Sequence, residues 1–350
     1  MKRKKFIQTT TLASMGALLM PKIAFSKLNE NKQVSIGFIG TQVCIQLLEA
    51  GHHVIGIDSI NDSYDPAIKH VRLGQLEIYK DFEFHNLDIL NSNSLSIFTK
   101  TTLEGIIHLA ARAGVRQSLL YPHEYLNTNL IGTLNLLELC RATKTDKFVL
   151  ASTSSLYGET YSNLISETYP TDSPLTPYSV SKKSAELLCY SYHHQYNIDI
   201  SINRYFTVYG QFGRPDMSIF KFIKLINEDK TLTVFGDGSQ TRDFTHVNDV
   251  ATGTIKSLEK VGYQIFNLGS NNPVSVNQVI SLIEDKLGKI AKKTYIPRNS
   301  ADVTSTYADI SKAHQMLNWV PQMSFEDGIQ MTIDWYMANT NWLSSVNIDS

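Results

Sequence analysis

Residues 33–58 alternate between apolar strands and a helix, and this pattern restricts the fold more than any other stretch. Residues 33–39 read as a first strand, 43–51 as a helix and 53–57 as a second strand that ends at Asp58. Strand, turn, helix, strand and acid form the opening of a dinucleotide-binding βαβ unit. A carboxylate in that position accepts hydrogen bonds from the adenosine ribose and repels a 2′-phosphate. The pattern therefore predicts NAD, rather than NADP, as the cofactor.

Strands and helices keep alternating as far as residue 205, which predicts an α/β fold with a Rossmann-type doubly wound parallel sheet. Beyond that point the alternation loosens into short strands, a turn and amphipathic helices. We predict that residues 32–205 form the NAD-binding domain and that 244–268 return to it. Residues 206–243 and 269–345 are expected to form a smaller α+β C-terminal substrate-binding cap, which closes a cleft over the strand ends.

Tyr178 and Lys182 lie four positions apart at a predicted helix start, because Pro177 favours a helix N-terminus there. This spacing places both side chains on one face of the helix. An ammonium beside a phenol lowers the pKa of the phenol, so Tyr178 could take a proton from a sugar hydroxyl near neutral pH. The preceding strand, residues 148–151, ends in the hydroxyl-rich run 152–155, which could relay that proton. A lone Tyr-x-x-x-Lys pair is common by chance. The interpretation of Tyr178 as a proton acceptor therefore rests on the hydroxyl-rich end of the preceding strand.

Several sequence blocks, in order, resemble the extended short-chain dehydrogenase/reductases, which include nucleotide-sugar epimerases, dehydratases and decarboxylases. The strand-end block 148–158 and the helix-start block 177–182 are similar to that family as a whole. Further blocks are more similar to the UDP-glucuronate 4-epimerases in it, and they occupy residues 108–116, 204–210, 213–217, 242–247 and 302–309.

The resemblance implies NAD-dependent 4-epimerisation of a UDP-sugar, most closely of UDP-glucuronate to UDP-galacturonate, through a 4-keto intermediate. In this reading Tyr178 is the base and Lys182 also reaches the nicotinamide ribose. Thr153 relays the proton, since it precedes Tyr178 by 25 positions (178 − 153), as in the family. Ser154 and Ser155 stand where dehydratase and decarboxylase relatives carry carboxylic acids. That difference favours epimerisation, with the two hydroxyls available to the C6 carboxylate of the sugar.

The resemblance also implies binding residues, and it implies no metal. NAD is expected to contact Gly37, Gly40, Asp58, Asp88, Ile89, Leu109, Ala110, Ala111, Asn129, Tyr178 and Lys182. The UDP-sugar is expected to contact Arg116, Ser154, Ser155, Arg204, Thr207, Arg242 and Asp302. Two phosphates require cations, and Arg242 is the first candidate, followed by Arg116 and Arg204. Each arginine could instead form an ion pair at the surface, and for Arg116 the two interpretations are close.

The turn before the first helix departs from the GxxGxxG pattern of the family. Only Gly37 and Gly40 remain, and about three residues, including the first glycine, are missing. In a second register Gly40 opens a GxGxxG turn, but Gln42 and Ile45 occupy its other glycine positions. We hypothesise a chimeric junction near residues 37–40. Two functions stay open: a working 4-epimerase, including one of the UDP-glucose/galactose type, or a sugar-nucleotide-binding pseudoenzyme that binds NAD poorly.

Residues 1–26 resemble an export leader. A basic run at residues 2–5 precedes a mildly apolar stretch, 9–20, and small residues at 24–26. Residues 3–8 look like a twin-arginine signal with Lys4 in place of the second arginine, which indicates the periplasm, whereas the family resemblance implies the cytoplasm. The apolar stretch is too short for a stable membrane span.

The formal net charge of −1, with scattered Lys and Arg, argues against a nucleic-acid partner. Cys44, Cys140 and Cys189 are widely spaced in apolar helical patterns, so we predict neither a disulfide framework nor a metal site. The resemblance further implies a homodimer, in which the helices predicted at residues 126–142 and 185–196 pair across the interface.

Overall fold

The structure, a computed structural model, describes residues 31–160 and 164–348. The predicted leader, residues 1–26, lies outside this part of the chain and stays a prediction. No helix in the described part is both long enough and apolar enough to cross a membrane. The described residues also contain no group of three or more His, Cys, Asp or Glu that could hold a metal ion.

A seven-stranded sheet forms the larger part of the molecule, and all of its neighbouring strands are parallel. Its strands in chain order are β1 (Asn31–Ser35), β2 (His53–Asp58), β3 (Phe82–Asn86), β4 (Gly105–His108), β5 (Lys147–Thr153), β6 (Asp199–Tyr205) and, after a long excursion, β10 (Tyr263–Leu268). The spatial order is β10-β6-β5-β4-β1-β2-β3. The central strands β4 and β5 are buried along their whole length, as expected for a sheet covered on both faces.

Helices cover both faces of this sheet. In chain order the helices are α1 (Phe38–Glu49), α2 (Pro66–Leu76), α3 (Ser92–Leu95), α4 (Gln117–Leu120), α5 (Pro122–Leu126), α6 (Gly132–Thr143), α7 (Pro177–Tyr196), α8 (Ser218–Asn227), α9 (Val247–Lys256), α10 (Val276–Leu287), α11 (Ser311–Leu317), α12 (Phe325–Ala338) and α13 (Thr340–Leu343). One apolar core joins α1 and α9 to the sheet, and a second joins α6 and α7 to it. The predicted doubly wound α/β fold is therefore confirmed.

The smaller part is built from two short sheets and a core of its own. Strands β7 (Thr207–Tyr209), β9 (Thr241–His246) and β11 (Pro273–Ser275) form one sheet in the order β11-β9-β7. Strands β8 (Thr231–Phe235) and β12 (Lys292–Ile296) form the other. Residues 244–246 thus belong to the small sheet, and the chain returns to the large sheet's layers at α9, which packs against α1.

The first strand and helix differ from their predicted bounds, which were 33–39 and 43–51. Observed β1 ends at Ser35 and α1 begins at Phe38, so only Ile36 and Gly37 connect them. With so short a connection, β1 reaches its register beside β2 only by using residues from Asn31 onward. The polar side chain of Gln33 is therefore fully buried. Its amide nitrogen and oxygen have no hydrogen-bond partner among the described residues.

Replacing Gln33 with methionine should stabilise the protein. The substitution keeps the length of the side chain and removes an unpaired buried amide, which costs about 1–3 kcal/mol. A rise in the urea midpoint of unfolding, at unchanged slope, would measure this gain. Gln46→Met is the matched control: its amide donates to Asn248 O over 3.1 Å and accepts from Thr252 Oγ1 over 3.1 Å, so the same change there should destabilise. A lower midpoint for Gln33→Met would contradict the prediction.

Candidate active site

Helix α7 brings Lys182 against the end of β5. The helix begins with Pro177, and the side chain of Thr176 caps it by accepting a hydrogen bond from Ser179 N over 3.3 Å. Lys182, in the second turn, is only 3% exposed and donates from Nζ to the carbonyl oxygen of Ala151 over 2.8 Å. The ammonium is thus held by the backbone of β5, two residues before Thr153. Burial lowers the pKa of Lys182 to about 8.

The Tyr178 phenol lies close enough to the hydroxyl of Thr153 for that hydroxyl to lower the pKa of the phenol. Burial raises the pKa of Tyr178 above its ordinary value, while the Thr153 hydroxyl and the positive charge of Arg214 act in the opposite direction. The sequence analysis expected Lys182 to lower this pKa, and that assignment needs correction. In the structure Lys182 is engaged by Ala151, and the cation that acts on the phenol is Arg214.

Thr153 ends β5 and belongs to a cluster of hydroxyl groups. Its Oγ1 donates to Ser155 Oγ over 3.1 Å and accepts from the backbone nitrogen of Ser155 over 3.1 Å. The chain then turns through a short 3₁₀ helix, Ser154–Tyr157, in which Ser154 and Ser155 are partly buried. The structure thus brings Thr153, Ser155 and Tyr178 together at one strand end.

Arg214 is a functional candidate that the sequence analysis missed. With Thr207 it lines a cavity of about 20 Å³, whose wall also includes Phe38 and Met217. The guanidinium pairs with Asp216, with Nε to Oδ1 at 3.0 Å, and donates from Nη1 to Ala113 O over 3.0 Å. The block 213–217 contributed to the family resemblance but received no role, so this signal was available in the sequence.

A larger cavity, of about 630 Å³, opens beside the site. It lies between the loop after β2, the helices α4 and α5, and the C-terminal segment. Tyr125 on its wall packs edge-on against Tyr178, with ring centroids 6.1 Å apart. Its lining residues are Asp62, Ser63, Tyr64, Asp65, Pro66, Arg112, Gln117, Tyr121, Glu124, Tyr125 and Asn347.

The groups expected at the adenosine end of NAD follow neighbouring strands. Asp58 ends β2, and its Oδ1 accepts from the backbone nitrogen of Ile60 over 2.8 Å. Burial raises the pKa of Asp58, whereas that hydrogen bond and the charges of Lys69 and Arg72 lower it. After β3, the exposed Asp88 precedes Ile89, which is 4% exposed. Leu109, Ala110 and Ala111 follow β4 and are partly buried. These small or apolar residues and the carboxylate suit an adenosine.

Asn129 connects two elements at the same edge of the sheet. It is 1% exposed and lies in the π-helical turn Asn127–Ile131. Its side chain bonds both backbone groups of Arg112, with Oδ1 to N at 2.8 Å and Nδ2 to O at 3.0 Å. Its Nδ2 also donates to Ser181 Oγ over 2.9 Å. Asn129 thereby ties the loop after β4 to α7.

The connection between β1 and α1, where the pyrophosphate of NAD would bind, fits the cofactor poorly. The residues expected at the adenosine and nicotinamide ends of NAD fit it better. Gly37 precedes α1 with an extended backbone, and a Cβ added to it would meet no atom within 4 Å. Gly40 lies inside α1 and is buried, so its predicted place in the turn is wrong. A pyrophosphate is left with the N-terminus of α1 and without a glycine loop around it.

Arg204 does not face the cleft, and its predicted role in phosphate binding is wrong. It is 2% exposed, and its guanidinium pairs with Glu186, with Nη2 to Oε2 at 2.7 Å and Nε to Oε1 at 3.0 Å. Nη1 donates to Tyr157 Oη over 3.1 Å and to Glu167 O over 3.2 Å. Arg204 lies in β6 and its side chain is buried, and a buried guanidinium needs a carboxylate partner such as Glu186.

Arg116, Arg242 and Asp302, by contrast, are brought together where the segment before α4 meets the smaller part. The Arg116 guanidinium pairs with Asp302 and lies 3.7 Å from the ring centroid of Phe235. Burial lowers the pKa of Arg242, and the charge of Asp302 raises it. Arg298, which no sequence block contained, donates from Nη2 to the backbone oxygen of Asp302 over 3.0 Å. This cluster offers cations to a diphosphate and a carboxylate to a ribose.

Comparison with known proteins agrees with this geometry. Residues 35–332 match the family model of GDP-mannose 4,6 dehydratase. A UDP-glucuronate 4-epimerase from Thermodesulfobacterium geofontis is 50% identical over 314 residues, covering 89% of this chain and 97% of that protein. The crystal structure of UDP-glucuronic acid 4-epimerase from Bacillus cereus, in complex with UDP-glucuronic acid and NAD, is 39% identical with a TM-score of 0.83 over 88% of this chain and 99% of that chain.

A second solved structure, UDP-glucose 4-epimerase from Thermotoga maritima with UDP-glucose, is 29% identical with a TM-score of 0.82 and covers 89% of this chain and 99% of that chain. The family model alone spans most of the chain, and the Thermodesulfobacterium geofontis relative matches along 97% of its own length. The chain therefore belongs to the NAD-dependent epimerase/dehydratase family of extended short-chain dehydrogenase/reductases and lies close to the UDP-glucuronate 4-epimerases.

Proposed function

We propose that this protein is an NAD-dependent 4-epimerase that converts UDP-glucuronate to UDP-galacturonate. The observation that carries the proposal is the placement of the Tyr178 phenol beside the Thr153 hydroxyl at the end of β5. Lys182, anchored on Ala151, lies on the same face of α7 as Tyr178. These are the three groups that a proton transfer from a sugar hydroxyl requires.

In this mechanism the chain handles the proton, and NAD, when bound, supplies the acceptor and later the donor of a hydride at C4. Thr153 accepts the C4 hydroxyl proton as it passes its own to the Tyr178 oxygen. The charge of Arg214 favours the phenolate that receives this proton, and the Lys182 ammonium is proposed to bind the nicotinamide ribose. After the 4-keto sugar rotates within the cleft, C4 would receive the hydride on its other face and the proton would return along the same path, so no net oxidation would occur.

The substrate side favours a sugar that carries a carboxylate. Ser154 and Ser155 can donate hydrogen bonds but cannot act as carboxylic acids, which disfavours dehydration. Arg214, close enough to Tyr178 to affect its pKa, offers a cation to the C6 carboxylate. Thr207 lines the same cavity. At the other end of the cleft, Arg116 and Arg242 are proposed to bind the diphosphate, and Asp302 the uridine ribose.

Incubating the purified protein with UDP-glucuronate should yield UDP-galacturonate, detected by chromatography of the nucleotide sugars. Tyr178→Phe should lower kcat by about 10³-fold or more, because it removes the proton acceptor. Tyr125→Phe serves as the control, since it keeps the ring that packs against Tyr178. Recovery of a pentose or a 4-keto-6-deoxy sugar would refute the assignment. Turnover of UDP-glucose alone would favour the UDP-glucose/galactose type.

The two-residue connection between β1 and α1 favours a second function, that of a protein that binds sugar nucleotides but holds NAD weakly. A pyrophosphate is normally cradled by backbone amides of a glycine turn ahead of the helix N-terminus. Here Ile36 and Gly37 alone span that distance. The substrate cluster around Arg242 is unaffected by this difference.

Inserting Gly-Ala-Ala before Gly37 should raise the affinity for NAD, because the longer turn can present its amides to the pyrophosphate. Mass analysis and absorbance of the purified proteins would measure bound NAD, and calorimetric titration its Kd. Insertion of three valines at the same point is the matched control, since it lengthens the turn but places Cβ atoms on it. Stoichiometric NAD in the unmodified protein, with no gain on insertion, would exclude the weak-binding function.

We also propose a homodimer formed through α7 and the turn before α6. Apolar side chains on these elements are exposed in the single chain: Ile131, Val180, Leu187 and Tyr190, with Leu187 61% exposed. Such a patch on a soluble protein indicates a surface that a second copy covers.

Leu187→Arg should convert the dimer to a monomer, because it places a charge in the centre of this apolar patch. Light scattering after gel filtration would report the molar mass. Ile78→Arg, at an even more exposed apolar side chain that follows α2, is the control and should leave the mass unchanged. A monomeric wild-type protein would end the proposal.

A further inference from the structure

Glu186 is a buried carboxylate that joins three elements next to the catalytic residues. It follows Lys182 by one turn of α7 and is 2% exposed. Its Oε1 accepts from Ser152 Oγ over 2.6 Å and from Arg204 Nε over 3.0 Å, and its Oε2 accepts from Arg204 Nη2 over 2.7 Å. Ser152 precedes Thr153 in β5, and Arg204 lies beside Ser152 in β6. The carboxylate therefore fixes α7 to both strands at the level of the site.

Glu186 also acts on the charge of Lys182. Burial lowers the pKa of Lys182 to about 8, and Glu186 is the first of the groups that raise it. Among the described residues that act on Lys182, Glu186 supplies the only carboxylate; the other group is the thiol of Cys189, also on α7. From the sheet, β4 presents the His108 ring, whose own pKa is lowered to about 3 by burial and by Lys182. From β5, the Ala151 carbonyl accepts the hydrogen bond of the Lys182 ammonium.

Arg204 balances the negative charge of Glu186 from the other side. The guanidinium is held by Tyr157 and the backbone oxygen of Glu167 as well as by Glu186. The Glu186 carboxylate thus pairs with the Arg204 guanidinium and acts on the Lys182 ammonium through its charge. Removing Glu186 and removing Arg204 should therefore change the field at Lys182 in opposite directions.

We propose that Glu186 is a positioning residue for the 4-epimerisation, holding Ser152 and hence Thr153 in place and keeping the Lys182 ammonium charged. The catalytic part of this inference rests on the proposed function; the charge coupling of Glu186 to Lys182 does not. Glu186 touches neither substrate nor cofactor, and it acts through its two neighbours. A purely structural carboxylate, serving only to neutralise Arg204, would leave the ionisation of Lys182 untouched.

The test compares Glu186→Gln with Arg204→Met, since both break the same buried ion pair. Glu186→Gln removes the negative charge and should lower the pKa of Lys182 by about one unit. Arg204→Met frees the carboxylate from its guanidinium and should raise that pKa. Nuclear magnetic resonance of isotope-labelled lysine side chains, with the Lys182 signal assigned by its loss in Lys182→Arg, would follow the titration. Equal shifts in both variants, or none, would overturn the proposal.

The pH dependence of kcat/KM then distinguishes the catalytic role of Glu186 from its charge coupling to Lys182. Activity requires a charged Lys182, so its loss at high pH should move to lower pH in Glu186→Gln and to higher pH in Arg204→Met. A wild-type protein without any epimerase activity would refute the proposed function, while the lysine titration would still decide the coupling. If Glu186→Gln does not fold, the upward shift in Arg204→Met decides alone, and its absence refutes the coupling.

Discussion

The hydrogen bond from the Lys182 ammonium to the carbonyl oxygen of Ala151 is the contact on which the candidate site depends. It crosses from the second turn of α7 to the buried end of β5, and so sets the depth at which the helix meets the sheet. Tyr178, one turn earlier, then falls beside the Thr153 hydroxyl. A buried ammonium tolerates this position because a carbonyl dipole and the nearby Glu186 carboxylate compensate for lost hydration. The same contact therefore packs α7 against β5 and positions the candidate catalytic groups.

Much of the fold was predictable because the sequence repeats a local pattern. Apolar runs of strand length separated by helical periodicity allow few architectures other than a parallel sheet covered on both faces. The approach of Tyr178 to Thr153 could also be predicted from the sequence. The ends of parallel strands lie along one edge of the sheet, and a helix was predicted to begin beside the end of the strand that contains Thr153. Such inferences need only spacing and polarity, both of which are local properties.

What the sequence did not reveal depends on partners distant in the chain. Arg204 resembles a phosphate ligand until Glu186, on another element, is found to pair with it. Arg214 lies in a block that contributed to the resemblance, but its effect on Tyr178 depends on a tertiary approach that the block itself does not show. The bounds of β1 were wrong because sheet register, set by β2 and β4, overrode the apolar pattern and carried Gln33 into the interior. Each error concerns tertiary context that no local pattern records.

The chain passes between the layers of the large sheet and the smaller part five times: after β6, between β9 and α9, between β10 and β11, between β12 and α11, and between α11 and α12. A lobe attached by a single linker can swing widely, whereas five connections between the two parts permit only small rotations. Ligand exchange in such a molecule has to proceed by local parting of loops along the cleft mouth. The charged cluster around Asp302 and the hydroxyl cluster around Thr153 consequently stay at a nearly constant separation, so a ligand that spans both clusters is selected by its length.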